Sequence, residues 1–390
     1  MEREAEPVTL SIAFRNMRSG KARIAFSVAG VAVATLLLSF ILALYRGWNE
    51  RIASYIDETG ADVWVAPRGS ESFFTPGIFS RSFLTLVTQV PGIAQADPLL
   101  YRPVKLEHGS GAWDTWVIGF EPGKLGGPTE MESGSATPGR GEIVLDKVLA
   151  KLAGVDIGDT VSVGGNTLRV SGISNGGNVV FAQLAFVSAE EAKAELAKSL
   201  TEANLPEIPP SLQPDNNVNL ALIKTEPGKA AEVTTAINKT VPGVSAFQTA
   251  LFAENSRKPL EQSMVPILLI ILCLAFLVGT LVLGLTVYTS VLEKEREFGV
   301  IKALGTPGPG LLRVVFEQAL FCCLAGFVVG ELSVFAAAWI TSLAVPQMVT
   351  LIKPLDLLVV LAGALVMSLL ASFVPAGRIM RVNTLSVFKA

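Results

Sequence analysis

The sequence predicts a membrane α-helical protein with four transmembrane helices and an α+β extracytoplasmic domain of two lobes. Three observations lead there. The 390-residue chain is half apolar and only 17% charged, and its charges are gathered into blocks. Long uncharged runs separate those blocks. The largest block alternates strand-like and helix-like segments. Length alone would suggest two or three soluble domains at about 150 residues each, which the segregation of charge argues against.

The spans come first. Ile24–Tyr45 holds 22 residues without a charge and Gln262–Leu292 holds 31. Gln318–Gly330 and Leu332–Ile352 are interrupted only by Glu331, and Leu357–Gly377 adds 21 more. A hydrocarbon core of about 30 Å takes roughly 20 apolar helical residues, so transmembrane helices are expected over 24–45, 262–292, 310–345 and 357–377. The first run follows a basic segment, as a signal peptide would. It is longer than a typical h-region of about 7–15 residues and shows no clear small-residue cleavage site, which favours an uncleaved helix.

Charge sets the orientation. Residues 1–23 carry five Lys or Arg, 293–313 carry four and the tail 378–390 three, whereas the connection 346–356 has only Lys353. The positive-inside rule then puts both termini and the 293–309 connection in the cytoplasm of a multi-pass inner or plasma-membrane protein. Residues 46–262 lie outside with 18 basic and 25 acidic residues, a net −7. The few basic residues are explained by topology, which argues against nucleic acid as a partner. All three cysteines, Cys273, Cys322 and Cys323, fall in expected spans. The outer domain therefore has neither a disulfide framework nor a thiolate metal site.

Within the outer domain, 46–261, strands are expected at Asp62–Pro67, Trp113–Phe120, Thr160–Val163, Thr167–Ile173, Ala182–Val187 and Asn219–Lys224, each rich in β-branched or aromatic residues between Gly, Pro or Asn. Val163-Gly-Gly-Asn-Thr167 reads as a hairpin turn. Helices are expected at Ser82–Val90, Asp146–Ala153, Glu190–Leu200 and Gly228–Lys239, with irregular connectors at Glu121–Arg140 and Pro206–Asn217. No catalytic constellation or metal site stands out, and dinucleotide and phosphate-loop motifs are absent. The sole histidine, His108, beside Gly109-Ser-Gly111, reads as a solvated loop residue. Trp64, Trp113 and Trp116 read as strand core ahead of ligand contacts.

The functional signal sits between the second and third spans, in Val291-Leu-Glu-Lys-Glu-Arg-Glu-Phe-Gly-Val-Ile-Lys-Ala-Leu-Gly305. Glu293, Arg296 and Glu297 share one helix face, while Phe298, Val300, Ile301 and Leu304 form an apolar one. Gly305 and Pro307 end the helix. A loop serving topology alone gains nothing from that apolar half, so a partner surface is expected. The Thr9–Arg23 stretch is expected along the inner leaflet. Two readings stay open for Glu331 inside the third span: a functional intramembrane site or a buried structural hydrogen bond. Glu50, Asp57 and Glu58 read as a solvated helix face that could alternatively flank a substrate entrance between protomers.

This connection resembles the coupling-helix motif of permeases of the MacB and FtsX (type VII) superfamily of ABC transporters. Three further stretches resemble the same family: Leu10-Ser-Ile-Ala-Phe-Arg-Asn-Met-Arg-Ser-Gly-Lys-Ala-Arg23, Gly141–Asp146 through Gly158-Asp-Thr160 to Val170-Ser-Gly-Ile173, and Pro375-Ala-Gly-Arg-Ile-Met-Arg381. The resemblance implies a four-helix permease with a large domain between its first two helices, working as a homodimer or pseudo-dimer. It also implies a separate ATPase subunit that holds ATP and Mg²⁺, because only 23 residues precede the first span; this chain would then be non-catalytic and carry no cofactor. The motif carries over to Glu293, Arg296, Glu297, Phe298, Gly299, Ile301, Lys302, Ala303, Leu304 and Gly305, with the apolar members expected in a groove of the ATPase.

The function implied is export or extraction of a hydrophobic or amphipathic substrate such as haem or lipid by mechanotransmission, with an extracytoplasmic adaptor as a further partner. Gly60-Ala-Asp-Val-Trp-Val-Ala-Pro67 resembles the haem- and glycolipid-exporting branches. The alternative is a signalling module that moves nothing and drives an outer partner such as a cell-wall hydrolase. A third, a receptor with its own enzymatic activity, is disfavoured by the missing catalytic set.

Overall fold

The computed structural model describes residues 21–75, 77–175, 178–179, 182–194, 216–303, 308–345 and 348–380. Most of the Thr9–Arg23 stretch, the end of the Glu190–Leu200 segment, most of the Pro206–Asn217 connector, and Leu304, Gly305 and Pro307 lie outside the described residues.

In chain order the elements are α1 (Lys21–Glu58), β1 (Val63–Pro67), β2 (Phe79–Ser80), α2 (Ser82–Val87), β3 (Ile93–His108), β4 (Gly111–Phe120), β5 (Glu130–Gly134) and β6 (Glu142–Asp146). There follow α3 (Lys147–Ala153), β7 (Thr160–Val163), β8 (Asn166–Asn175), β9 (Asn178–Val179), β10 (Ala182–Ser188), β11 (Asn217–Val218), β12 (Leu220–Thr225), α4 (Ala230–Thr240) and β13 (Val244–Gln248). The chain closes with α5 (Thr249–Glu293), α6 (Glu295–Ala303), α7 (Gly308–Ala344) and α8 (Pro354–Met380). The described residues form two compact units, one reaching to Arg46 and resuming at Met264, the other centred on Gly47–Ser263.

In the outer unit the strands run in the order β13-β1-β12-β3-β4-β10-β6-β8-β5, with β7 joined to β3 and β8, and β9 to β10. Among the described pairs, only β4–β10 and β6–β8 are parallel. The sixteen residues of β3 serve two lobes. Its first half pairs with β12, Ala96 opposite Ile223 and Leu99 opposite Leu220; its second pairs with β4, from Leu100 opposite Gly119 to His108 opposite Gly111. Val63, Val87, Ile223, Val233 and Ile237 fill one core, and Leu106, Ile143, Leu149, Val163 and Val170 another. A third cluster is aromatic: Phe73 stacks on Tyr101 at 4.6 Å and Trp64 on Phe252 at 5.0 Å between ring centroids. Such contacts add about 0.5–1.5 kcal/mol to area burial.

Local chemistry sets the boundaries. The Asp146 carboxylate accepts the Val148 N–H and opens α3, and Gly154 closes it with left-handed φ of 66°. Gly164 and Gly165, at φ 54° and 79°, make the two-residue turn between β7 and β8, where both central residues need positive φ.

Several expectations change. Ile93–His108 carried no strand expectation and is the longest strand, and the Glu121–Arg140 connector contains β5. His108 is a paired strand residue whose Nδ1 donates to the Thr160 carbonyl at 3.0 Å. The first helix continues past Tyr45 to Glu58, because Ala53, Tyr55 and Ile56 are buried in the aromatic cluster and extend its apolar face beyond the uncharged run.

Among the described residues, four helices are long and apolar enough to cross a bilayer. Their outward residues, such as Leu281, Leu285, Trp339, Leu358 and Phe373, are large and apolar, as lipid contact requires. Small residues let the backbones approach. A Cβ on Gly326 would lie 2.9 Å from the Val28 carbonyl oxygen, and one on Gly330 2.8 Å from that of Ala32. This Gly-x₃-Gly spacing on α7 seats α1 directly against its backbone. Gly279 on α5 instead faces side chains, the Ala34 methyl at 2.7 Å and the Met367 sulfur at 3.0 Å from where its Cβ would stand.

Candidate functional site

The short helix α6 is built into the membrane unit on one side and bare on the other. Phe298 is 4% exposed and shares a core with Val291, Leu311, Val314 and Val315, and Gly299 beside it is buried. The expectation that Phe298 inserts into a partner is thereby replaced: its own bundle already covers it. Arg296, Glu297 and Val300 are exposed, and their i, i+1, i+4 spacing makes one face of mixed charge around a single apolar side chain. Lys302 is half-buried, and Ile301 and Ala303 belong to the same helix.

One ion pair reaches α6 and another joins its neighbours α1 and α5. Arg23 at the start of α1 pairs with Glu293 at the end of α5, and Arg378 near the end of α8 approaches Glu295 at 3.7 Å. Arg23, Glu293, Glu295 and Arg378 therefore meet at one end of the bundle. These pairs are largely solvated, each contributing about 0–1 kcal/mol, so they set register more than stability. Between α5 and α6, partial burial pulls the Lys294 ammonium below its ordinary range, with Arg23 adding to the effect against the opposing pull of Glu297 and Glu293. At the other end Arg46 holds Asp356 at 3.0 Å, and the Leu351 N–H bonds the Ala43 carbonyl.

Glu331 lies on α7, 7% exposed, and accepts a hydrogen bond from Ser39 of α1. Glu50 and Glu58 are exposed. Glu58 accepts from Thr129 at 3.0 Å and lines an open pocket of about 310 Å³ with the Gly123–Thr129 loop, while Asp57 pairs with Arg257 at 3.1 Å. In the membrane unit Ile41, Leu42 and Tyr45 of α1 and Leu268, Leu269 and Leu272 of α5 border an apolar groove of about 190 Å³. The Gly60–Pro67 stretch becomes β1, whose Val63, Trp64, Val65 and Ala66 are wholly buried, so its side chains pack the core and offer nothing to a ligand.

Sequence reasoning missed the α1–α7 seat and the ion pairs. The Gly326-x₃-Gly330 spacing in an apolar run was the available signal for the first. The ion pairs join residues far apart in sequence and leave no local pattern.

Comparison with known proteins places two family models on the chain. The MacB-like periplasmic core domain matches residues 24–240, more than half of it, and the FtsX-like permease C-terminal model matches 269–384. Among similar proteins, an uncharacterized ABC transporter permease of Mycobacterium tuberculosis is 25% identical over 384 residues, covering 97% of this chain and 99% of its own. A second from that organism is 27% identical with the same coverage. Among solved structures, the extracellular domain of the ABC-type transporter YknZ from Gram-positive bacteria aligns with TM-score 0.34 and 13% identity, covering 48% of this chain and 99% of that one. The periplasmic region of MacB from Actinobacillus actinomycetemcomitans aligns with TM-score 0.34 and 12% identity, covering 52% and 96%.

Proposed function

The chain belongs to the MacB/FtsX-type permease superfamily of ABC transporters, membrane proteins with an extracytoplasmic domain, and on that premise we propose that it is a non-catalytic permease driven by a separate ATPase subunit. ATP and Mg²⁺ are held and used there. The permease works as two copies, both termini facing the cytoplasm, and transmits the ATPase cycle to export or extract a hydrophobic or amphipathic substrate of the haem or lipid kind.

One observation carries this reading. The α6 helix is anchored by Phe298 and approached by Arg378 at Glu295, while Arg23 and Glu293 join α1 to the end of α5 just before it; Arg296, Glu297 and Val300 stay free of the bundle's core as a small docking face. A push on that face is delivered through Phe298 to α5 and α7 and through Glu295 to α8. Charged pairs at its rim set partner choice and register, and the central Val300 supplies apolar contact.

The test is ATP hydrolysis by the chain copurified with its ATPase in lipid nanodiscs, titrated with haem and with amphipathic lipids and peptides. Saturable stimulation that disappears in Val300→Asp or Arg296→Glu, with the permease still folded, supports the proposal. A rate indifferent to every ligand but changed by outer-domain binding proteins would replace it with the signalling reading. Failure to retain any ATPase would overturn both.

A further inference from the structure

The membrane unit holds a carboxyl that the coupling role leaves unused. Glu331 is more than nine-tenths buried on α7, in a helix that spans the bilayer. Its Oε1 accepts the hydroxyl of Ser39 on α1, while its Oε2 is buried with no hydrogen-bond partner among the described residues. Thr35, one turn before Ser39 on α1, leaves its Oγ1 buried and equally unpartnered. Gly330, next to Glu331, lies directly against Thr35 and the Ala32 carbonyl. Ser39 thus bonds Glu331 across the α1–α7 contact, and Thr35, one turn away on α1, packs against the neighbouring Gly330.

Among the described residues no cation bonds the carboxyl. The facing runs of α1 (Ile24–Tyr45), α5 (Gln262–Leu292) and α8 (Leu357–Gly377) contain no charged residue. Their titratable groups are Tyr45, Cys273 and Tyr288; α7 adds Cys322, which is buried, Cys323, which donates to the Ala364 carbonyl, and, more than three turns before Glu331, Arg313 and Glu317, which pair with each other at 2.9 Å. Arg46 stands two turns beyond Ser39, about 10 Å along the axis, and is bonded to Asp356. An ionised carboxylate in hydrocarbon without a partner is strongly disfavoured, and buried polar atoms rarely go without one in a native fold.

We propose that Glu331, with Ser39 and Thr35, is an intramembrane proton-binding site, and that the neutral acid so formed locks α1 against α7. The proton resides on Oε2, Ser39 donates to Oε1, and Thr35 lines the site. This goes beyond the permease reading and stands without it, since it needs only that α7 crosses the bilayer.

The experiment uses the full chain in lipid nanodiscs treated with dicyclohexylcarbodiimide, which modifies protonated carboxyls in apolar surroundings, with peptide mass spectrometry as the readout from acid to alkaline pH. Label on Glu331 that is absent in Glu331→Gln, falls about tenfold per pH unit once the group titrates, and is the same in sodium and choline buffers supports the proposal. Protection by sodium overturns it in favour of a metal-cation site. Should the reagent leave Glu331 unmodified, melting temperatures decide. Glu331→Gln matching wild type at acid pH and exceeding it at alkaline pH, with Glu331→Ala below both, sustains the proposal. Glu331→Gln melting well below wild type at acid pH overturns it, because the group would then be an ionised partner of something else.

Discussion

Phe298→Ala and Val300→Asp separate the two faces of α6. Phe298 is 4% exposed, and truncating a buried Phe to Ala costs about 3–5 kcal/mol. Because α6 is a nine-residue helix at the edge of the bundle, with room to relax, about 3 kcal/mol is expected. That energy holds α6 down, so its loss is felt first as local opening. At about 1.4 kcal/mol per tenfold, amide exchange of the α6 backbone should accelerate about a hundredfold, while the outer unit exchanges as before. Val300 is 44% exposed, and a surface substitution of this kind shifts stability by no more than about 0.5 kcal/mol. Its exchange should stay within a few-fold of wild type, yet ATPase retention should fall about tenfold or more, as expected when a charge enters the centre of a docking face. Hydrogen exchange read by mass spectrometry and copurification on the tagged ATPase report both quantities from one preparation. Unaltered exchange in Phe298→Ala combined with lost ATPase binding, and a silent Val300→Asp, would refute the assignment of faces.

Two further outcomes follow from the packing and the charges. The Asp62 carboxyl would be raised by its partial burial alone, but the Thr225 N–H, the Lys224 ammonium and the Thr225 hydroxyl hold it below its ordinary range. A carboxylate depressed in the folded state stabilises above its unfolded value and loses that stabilisation as pH falls through the folded one. Asp62→Asn should therefore cost about 1 kcal/mol at neutral pH, with the gap to wild type closing in acid unfolding curves. Gly330→Ala puts a methyl 2.7 Å from the Thr35 Cβ and 2.8 Å from the Ala32 oxygen. It should cost about 1–3 kcal/mol by overpacking, seen as a lower melting temperature in nanodiscs, with Gly363→Ala, which meets open space, as the silent control.

The four spans were legible because an uncharged run of membrane length would be insoluble anywhere but in a bilayer or a deep core, and the hairpin at Gly164-Gly165 because two positive-φ residues were written into it. β3 was not legible. Pro98 and Pro103, with Arg102, Lys105 and Glu107 between and after them, break the alternation that marks a strand. It forms nonetheless because both flanks are paired, Pro98 opposite Ala221 and Pro103 opposite Trp116, and tertiary pairing outweighs local preference. The coupling helix shows a different limit. Its amphipathic pattern announces that Phe298 must be covered, but a periodicity cannot say by whom, and the cover is the chain's own α5 and α7 rather than a partner. Glu331 stood out as a charge in an apolar run; its relation to Ser39 and Thr35, almost 300 residues away, did not.

The edge of the outer sheet also dictates an order of manufacture. β1, at the start of the inserted block, is flanked by β12 and β13, so Val63 must find both Ile223 and Gln248. Almost the whole block has to be synthesised and translocated before its first strand has either neighbour, and such distant pairings form slowly. A chain cut short before Leu220 would thus leave β1 with neither neighbour, a strand open along both edges and prone to pair with other chains.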